Sequence, residues 1–463
     1  MHSRQERTKE MVFLTLIGVF IFSWAVIQPL NVSPDEHMRY RICQYIYENH
    51  TLPVGGDPAI RDQIWGYSYA FFPILSQIIG ALFMTVASWF SRDAFVLLMA
   101  ARMVSVLCGV GMAWFTMKIG EKLWKRPLHK WLFTIFVTLL PQCVFLFSYI
   151  NNDSLALLAT SMIIYSWLLG QETSWSIKSS ILLAVGIILC ALSYYNAYGV
   201  ILASILLFAG HILLNRKDRA QRERLLKMGL LTAAIVIAGI SWWFIRSYLL
   251  YDGDFLGLTI SENYSQKYAI DSIKPSNRQT PCRLGQSLPD MLLSSNWFVM
   301  TVISFIGCFG YVSISLKNWM YLCYALIVAI GVAACVINTI LRSSARKAHQ
   351  EKRLFIGALL LTAIIPNLLS IAHSYCIDYQ PQGRYSMSML IPLMYFVTNG
   401  WVAIAGQTDF ERPTSEKERK PAHVPFLSTW RQKSKSSILY GILTAWTILT
   451  VSIYFTIYLP KTL

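Results

Sequence analysis

The sequence predicts an all-α integral membrane protein of about eleven transmembrane helices. Three observations predict it: 55% hydrophobic against 14% charged residues, a succession of apolar windows of spanning length, and Lys and Arg crowded into alternate loops. A soluble domain carries roughly a quarter charged residues. A helix rising about 1.5 Å per residue needs about 20 residues to cross a hydrocarbon core of about 30 Å. With no water there to satisfy the backbone, such windows have to be helical.

The windows are residues 11–30, 94–119, 131–150, 154–170, 179–194, 196–214, 228–249, 317–341, 354–374, 386–405 and 437–458. The first follows Arg4, Arg7 and Lys9 and ends in Pro29-Leu30-Asn31-Val32, not in a small-residue cleavage site, so it reads as a retained anchor. A further apolar stretch, Tyr67 to Phe90, decides the topology. Counted as a span, it would put Lys122, Lys125, Arg126 and Lys130 outside and flip every later basic loop. Treated as a helix on or dipping into the outer leaflet, it leaves all the basic loops on one side. These hold Arg216, Lys217, Arg219, Arg222, Arg224 and Lys227, then Arg342, Arg346, Lys347, Lys352 and Arg353. The last holds Arg412, Lys417, Arg419, Lys420, Arg431, Lys433 and Lys435. Short cytoplasmic loops are enriched in Lys and Arg, so the N-terminus is expected inside and Pro460–Leu463 outside. The net charge of +16 then reflects topology and contact with anionic lipid, not nucleic acid.

Three regions follow. Residues 1–249 form a transmembrane module whose first outer loop, 31–93, holds the candidate catalytic residues; 250–316 form an extracytoplasmic loop; 317–463 form a C-terminal transmembrane module. No tandem repeat is present, and the polar cytoplasmic segment Glu411–Lys420 is expected to be mobile. The nine cysteines lie mostly in apolar windows and lack metal-ligand spacing. Cys282 and Cys376 fall in outer loops, which leaves a disulfide between them open.

On the outer face, Ser33-Pro34-Asp35-Glu36 stands where the first span leaves the membrane. The pair is either a hydrated loop or a general base in low dielectric, where proton affinity rises; Pro34 helps to aim it. Asn151-Asn152-Asp153-Ser154 opens the fourth span, as an N-cap or as a second carboxylate facing the first. Gln382-Gly383-Arg384-Tyr385 puts an arginine where a span begins, on the side otherwise poor in positive charge. It snorkels, or its paired donors clamp phosphate. Arg246, in Trp242-Trp243-Phe244-Ile245-Arg246, is either part of an interfacial aromatic belt or the partner of Arg384. The histidines, His37, His50 and His373 among them, show no metal-ligand spacing, and there is no phosphate-cradling Gly-rich loop and no Gly-x-Ser-x-Gly elbow.

The order of these motifs resembles a bacterial membrane family long filed under a domain of unknown function and grouped with the GT-C glycosyltransferases. Ser304-Phe305-Ile306-Gly307-Cys308-Phe309-Gly310-Tyr311 and Tyr248-Leu249-Leu250-Tyr251-Asp252-Gly253-Asp254 add to the resemblance, which runs from about residue 11 to 400. It departs in having His37 directly after Glu36, and in lacking a Lys in Ser193-Tyr194-Tyr195-Asn196-Ala197-Tyr198-Gly199.

The resemblance implies a GT-C-like bundle with juxtamembrane helices in the first outer loop. It also implies a polyprenyl-phosphate sugar donor, a cell-envelope glycan or lipid acceptor, and one inverting displacement. Asp35 would be the base, with Glu36 shaping its field or holding an acceptor group, and Asp153 orienting the acceptor or lining the cavity. Arg384, with Arg246, Arg41 and Arg61, would neutralise the departing phosphate, while His37, Asn152, Gln382 and Tyr385 would contact substrate. Some members of that superfamily use a divalent metal and others do not; the acidic residues suit either. The alternatives are a flippase for lipid-linked saccharides and an envelope polysaccharide polymerase. A transporter would show inverted repeats, broken mid-membrane helices and ionisable residues at membrane depth.

Overall fold

The computed structural model describes residues 4–343, 350–407 and 425–462. Arg346, Lys347 and the segment Glu411–Lys420 lie outside the described residues, as do the side chains of Arg342, Arg431, Lys433 and Lys435. All eleven apolar windows fold as helix, yet among the described residues nine helices are long and apolar enough to cross a membrane. The other two windows give shorter helices. The third is divided into α5 (Pro127–Thr138) and α6 (Pro141–Leu146), because Pro141 has no N–H to continue the ladder. The fifth, α8 (Ile177–Ala191), is a helix of 15 residues.

Helix α1 (Arg4–Ile27) is followed by the short helices α2 (Glu36–Asn49) and α3 (Leu75–Ser88) and then by α4 (Ala94–Leu123). Asp93 starts α4 as a side-chain cap, accepting from the N–H groups of Phe95 and Val96. Next come α7 (Asp153–Glu172), α9 (Gly199–Leu214) and α10 (Arg219–Leu250). The second long loop carries α11 (Leu258–Tyr268), α12 (Trp297–Gly307) and a two-stranded hairpin pairing Cys308–Phe309 with Ile314–Ser315. The last helices are α13 (Asn318–Ser343), α14 (Gln350–Cys376), α15 (Leu390–Ile404) and α16 (Pro425–Ile453), with a 3-10 turn, Gly383–Met389, leading into α15.

Two sets of contacts settle how the Tyr67–Phe90 stretch is used. At one end of the bundle Lys118 and Lys130 are ion-paired with Glu10, joining the C-terminal end of α4 to the start of α1. At the other end Arg102, near the start of α4, reaches the carbonyls of Ala25, Gln28 and Pro29 where α1 finishes. Helices α1 and α4 therefore run antiparallel, with no crossing between them. The stretch forms a 3-10 turn and the 14-residue α3, too short to cross and ending in exposed Trp89 and Phe90.

Aliphatic side chains stand out of the bundle in runs. On α10, Leu230, Ile237 and Leu249 are 71%, 63% and 73% exposed. Apolar surface of that kind calls for lipid around it. Inside, α13 and α15 meet with almost no side chain between them: a Cβ on Gly400 would lie 1.7 Å from the Gly331 carbonyl oxygen. Cys282 and Cys376 are free thiols, so the disulfide left open by the sequence is not formed, although Cys282 N–H donates to the neighbouring Tyr375 carbonyl.

The most consequential buried contact is Arg102 with Glu36. Both carboxylate oxygens of Glu36 accept from Arg102 at 2.8 Å, and both side chains are almost wholly buried. Removing one member of such a pair strands a buried charge, at a cost of about 3–5 kcal/mol. Thermal unfolding of the detergent-purified protein should therefore show Glu36→Gln and Arg102→Met each strongly destabilised. The double variant should recover part of the loss; additive losses would mean that the pair is not coupled.

Candidate active site

The site begins with a backbone that Pro34 delivers and Arg102 holds. Asp35 occupies the cap position of α2 in the left-handed region, φ 60° and ψ 7°, and its carboxylate caps none of the helix N–H groups. A non-glycine residue held there stores strain that its surroundings must repay. The repayment comes from Glu36, the next residue, locked by Arg102 and accepting the Ile150 N–H. With its oxygens engaged and its side chain fully enclosed, Glu36 is a positioning residue, which corrects the expectation that it meets substrate.

Asp35 turns instead toward Arg384, whose Nη2 donates to its Oδ2 at 2.9 Å. The Gln382-Gly383-Arg384-Tyr385 motif reaches this point because Gly383 lies against α12: its N–H donates to Ser304 Oγ at 2.8 Å, and a Cβ there would sit 2.2 Å from the Phe305 backbone nitrogen. Two motifs 79 residues apart thus require each other. Arg384 also donates to the Tyr385 hydroxyl, which in turn donates to Gln380 Oε1. Gln382 is half-buried and turns the loop through its backbone, donating to the Gln380 carbonyl.

A second guanidinium, absent from the sequence-derived set, belongs to the site. Arg39 is buried one helical turn after Asp35, with Cζ 4.1 Å from the centre of the Tyr69 ring. The spacing Asp35-x-x-x-Arg39 was the available signal, since residues four apart share a helix face. Arg39 Nη1 and Arg384 Nε are buried donors with no acceptor among the described residues. Buried donors are nearly always paired, so two such groups beside one carboxylate favour an anion there.

Burial pushes the Asp35 carboxyl up, but the charges of Arg384 and Arg39, with hydrogen bonds from Arg384 and Tyr69, outweigh it and hold the group below the ordinary carboxylate value. This reverses the expectation that low dielectric raises its proton affinity. Burial and then the Asp35 charge push the Tyr67 phenol up to about 12.

Asp153, at the start of α7, is the second enclosed carboxylate. The N-cap reading holds for Asn151 and not for Asp153. Asn151 Oδ1 accepts the Ser154 N–H, so capping falls to Asn151, and Asp153 interacts electrostatically with Arg384, Arg39 and Asp35. Asn152 is a brace, not a substrate contact: its amide donates to the Pro73 and Ser193 carbonyls, and its oxygen accepts from Ser76 and Gln77.

Three other arginine assignments change. Arg246 donates to the Pro53 carbonyl at 2.8 Å and lies over Trp243, so it braces the first outer loop instead of joining Arg384. Arg41 and Arg61 line a cleft with Asp62, Gln63 and Tyr268, whose lining includes neither Asp35 nor Arg384. His37 stands between the two places, with Nε2 2.9 Å from Asp62 and Nδ1 3.4 Å from the Tyr311 hydroxyl. Among the described residues no three His, Cys, Asp and Glu side chains gather to hold a metal ion. The two carboxylates are already balanced by two guanidiniums, a donor set that does not fit a resident divalent cation.

Because Asp35 is held down, its contribution to stability is present above the ordinary carboxylate pKa and is lost as pH falls through its lower folded value. Arg384→Gln removes the chief opposing charge and leaves the burial. The infrared band of the protonated Asp35 carboxyl, assigned by its loss in Asp35→Asn, should then appear about one pH unit or more higher than in the parent protein. An unchanged band would break the pairing argument.

The fold has solved counterparts. It superposes on the Archaeoglobus fulgidus oligosaccharyltransferase AglB, determined with an inhibitory peptide and a dolichol-phosphate, with a TM-score of 0.56, 12% identity, and coverage of 97% of this chain and 56% of that one. It superposes on ArnT from Cupriavidus metallidurans bound to undecaprenyl phosphate with a TM-score of 0.53, 14% identity, and coverage of 98% and 74%. For the mycobacterial arabinofuranosyltransferase AftD the values are 0.53, 13%, 96% and 27%. The chain thus spans little more than half the length of AglB, and at these identities the likeness shows a GT-C-like fold. No curated protein matches the sequence. The model of a family described as a predicted membrane protein, DUF2142, matches residues 60–397, a span that takes in Asp153 and Arg384 and begins after Asp35. By that match the chain belongs to the DUF2142 membrane protein family.

Proposed function

We propose that the protein is an inverting glycosyltransferase that moves a sugar from a polyprenyl-phosphate donor to a cell-envelope acceptor on the extracytoplasmic side. One observation carries the reading: the 2.9 Å pair of Asp35 with Arg384, beside buried guanidinium donors that have no acceptor among the described residues. ArnT was solved with undecaprenyl phosphate and AglB with dolichol-phosphate, which supports a lipid-phosphate ligand for the shared fold. The side follows from charge. Lys118, Lys122 and Lys130 lie at the Glu10 end, so the positive-inside rule puts the Asp35 end outside.

The chemistry follows from the pairing. A donor phosphate bound by Arg384 and Arg39 competes with Asp35 for the same guanidinium. Asp35, released, loses the hydrogen bond that holds its proton affinity down and becomes the stronger base. It takes the proton of the acceptor hydroxyl as that oxygen attacks the anomeric carbon. The bond from that carbon to the phosphate oxygen breaks, and the electron pair leaves on the polyprenyl phosphate. The two guanidiniums stabilise the charge that develops there, and preorganised electrostatics of this kind is commonly the largest catalytic contribution. Asp153 faces the same charges and orients the acceptor.

Proteoliposomes supplied with a panel of undecaprenyl-phosphoryl sugars and envelope acceptors should release undecaprenyl phosphate. Asp35→Asn should cut turnover by about 10²- to 10⁴-fold while undecaprenyl phosphate binding persists. Full turnover by that variant would remove Asp35 from the mechanism.

A further inference from the structure

Beyond the Asp35–Arg384 pair, the cleft holding Arg41 and Arg61 is the most developed polar feature of the loop face. It has a volume of about 510 Å³ and is walled by α2, the turn before Asp62, and Tyr268 at the end of α11. Two loops some 200 residues apart in sequence are tied together to make it. Ile270 N–H donates to the Ile64 carbonyl at 3.1 Å, and Gly66, with φ +74°, lets the turn lie directly against the Ala269 backbone.

Its charge is one-sided. Arg61 stacks 3.9 Å above the Tyr268 ring, Lys267 lies 5.0 Å from that ring, and none of Arg41, Arg61 and Lys267 is in an ion pair among the described residues. The one acid present is already engaged. Asp62 Oδ1 accepts from the N–H groups of Ile64 and Trp65, while Oδ2 takes His37. Cations gathered at the end expected to be outside run against the positive-inside trend, so topology does not explain them. The position of the cleft is equally specific. Arg41 follows His37 by one turn of α2, about 6 Å along its axis, and His37 is two residues from Asp35.

We propose that this cleft is the acceptor subsite and that it takes an anionic glycan, one carrying carboxylates or phosphates along its chain. The inference rests on the transferase reading above and names the class of its acceptor. Guanidiniums pair with carboxylate or phosphate through two parallel donors, and the Arg61–Tyr268 stack offers a flat platform for a sugar ring. A lipid is disfavoured because the only apolar lining residues are Pro58 and Ala59, with no long side chain to receive an acyl tail. A glycan lying along α2 past His37 presents its terminal hydroxyl to Asp35.

The test uses the full-length protein in detergent and four probes. These are an oligogalacturonate, a glycerol-phosphate oligomer, a neutral maltooligosaccharide of equal length, and undecaprenyl phosphate. At least one anionic oligomer should bind about tenfold or more tightly than the neutral one, and should weaken as salt is raised. Which of them binds distinguishes a carboxylate-bearing from a phosphate-bearing acceptor. Arg41→Ala with Arg61→Ala should abolish that preference and leave undecaprenyl phosphate binding unchanged. Gln63→Glu, at an exposed position, should weaken anionic binding without risk to the fold. Equal affinity for neutral and anionic oligomers, or an unchanged preference in the arginine variants, overturns the proposal. Failure of the parent protein to bind undecaprenyl phosphate would instead count against the transferase reading.

Discussion

Everything at the site depends on one guanidinium buried where none is expected. Arg102 lies in the apolar run of α4, and desolvating it would be prohibitive without partners. It has five: the two Glu36 oxygens and the carbonyls of Ala25, Gln28 and Pro29. The carbonyls of Ala25 and Gln28 are among those a helix end leaves unsatisfied, so the arginine completes the end of α1 while anchoring the start of α2. The chain between the two helices is thereby held at both ends. Asp35, inside that short connection, keeps a left-handed conformation that no local preference would maintain.

From this anchor the remaining motifs fall into place by contact. The Ser304 stretch accepts the Gly383 N–H and so seats Arg384; its far end places the Tyr311 hydroxyl on Asn31 and close to His37. Phe309 packs edge-on against Trp24, and Tyr458 from the last helical turn stacks on the same ring at 4.0 Å and donates to Gln28. The first span, the second long loop and the C-terminal helix therefore converge around one connection. The result is a set of two carboxylates and two arginines that is neutral as a whole, and in which each acid feels both cations.

Much of this was legible. Hydropathy located the nine helices that are long and apolar enough to cross a membrane among the described residues, and loop charge identified Tyr67–Phe90 as a non-crossing segment, which the Glu10 and Arg102 contacts bear out. Asp35 and Arg384 were both singled out, and they touch. What could not be read was partnership. Asp35 and Glu36 are adjacent in sequence, yet the left-handed cap sends one toward Arg384 and the other into the interior. Asn152 and Arg246 carry groups suited to a ligand, but buried carbonyls claim them first. Arg39 lies in the first outer loop but was given no role there, and Arg102 was passed over because it sits in a window read for its hydrophobicity. The chemistry of a charged residue inside such a segment was the missed signal.

The central claim is that Asp35 and a lipid phosphate share Arg384. A structure of the protein with undecaprenyl phosphate bound tests it most directly. The account predicts the phosphate within hydrogen-bond distance of Arg384 and Arg39, with Asp35 parted from Arg384 and the Arg102–Glu36 pair unchanged. A phosphate seated elsewhere, with the Asp35–Arg384 bond still at 2.9 Å, would contradict it.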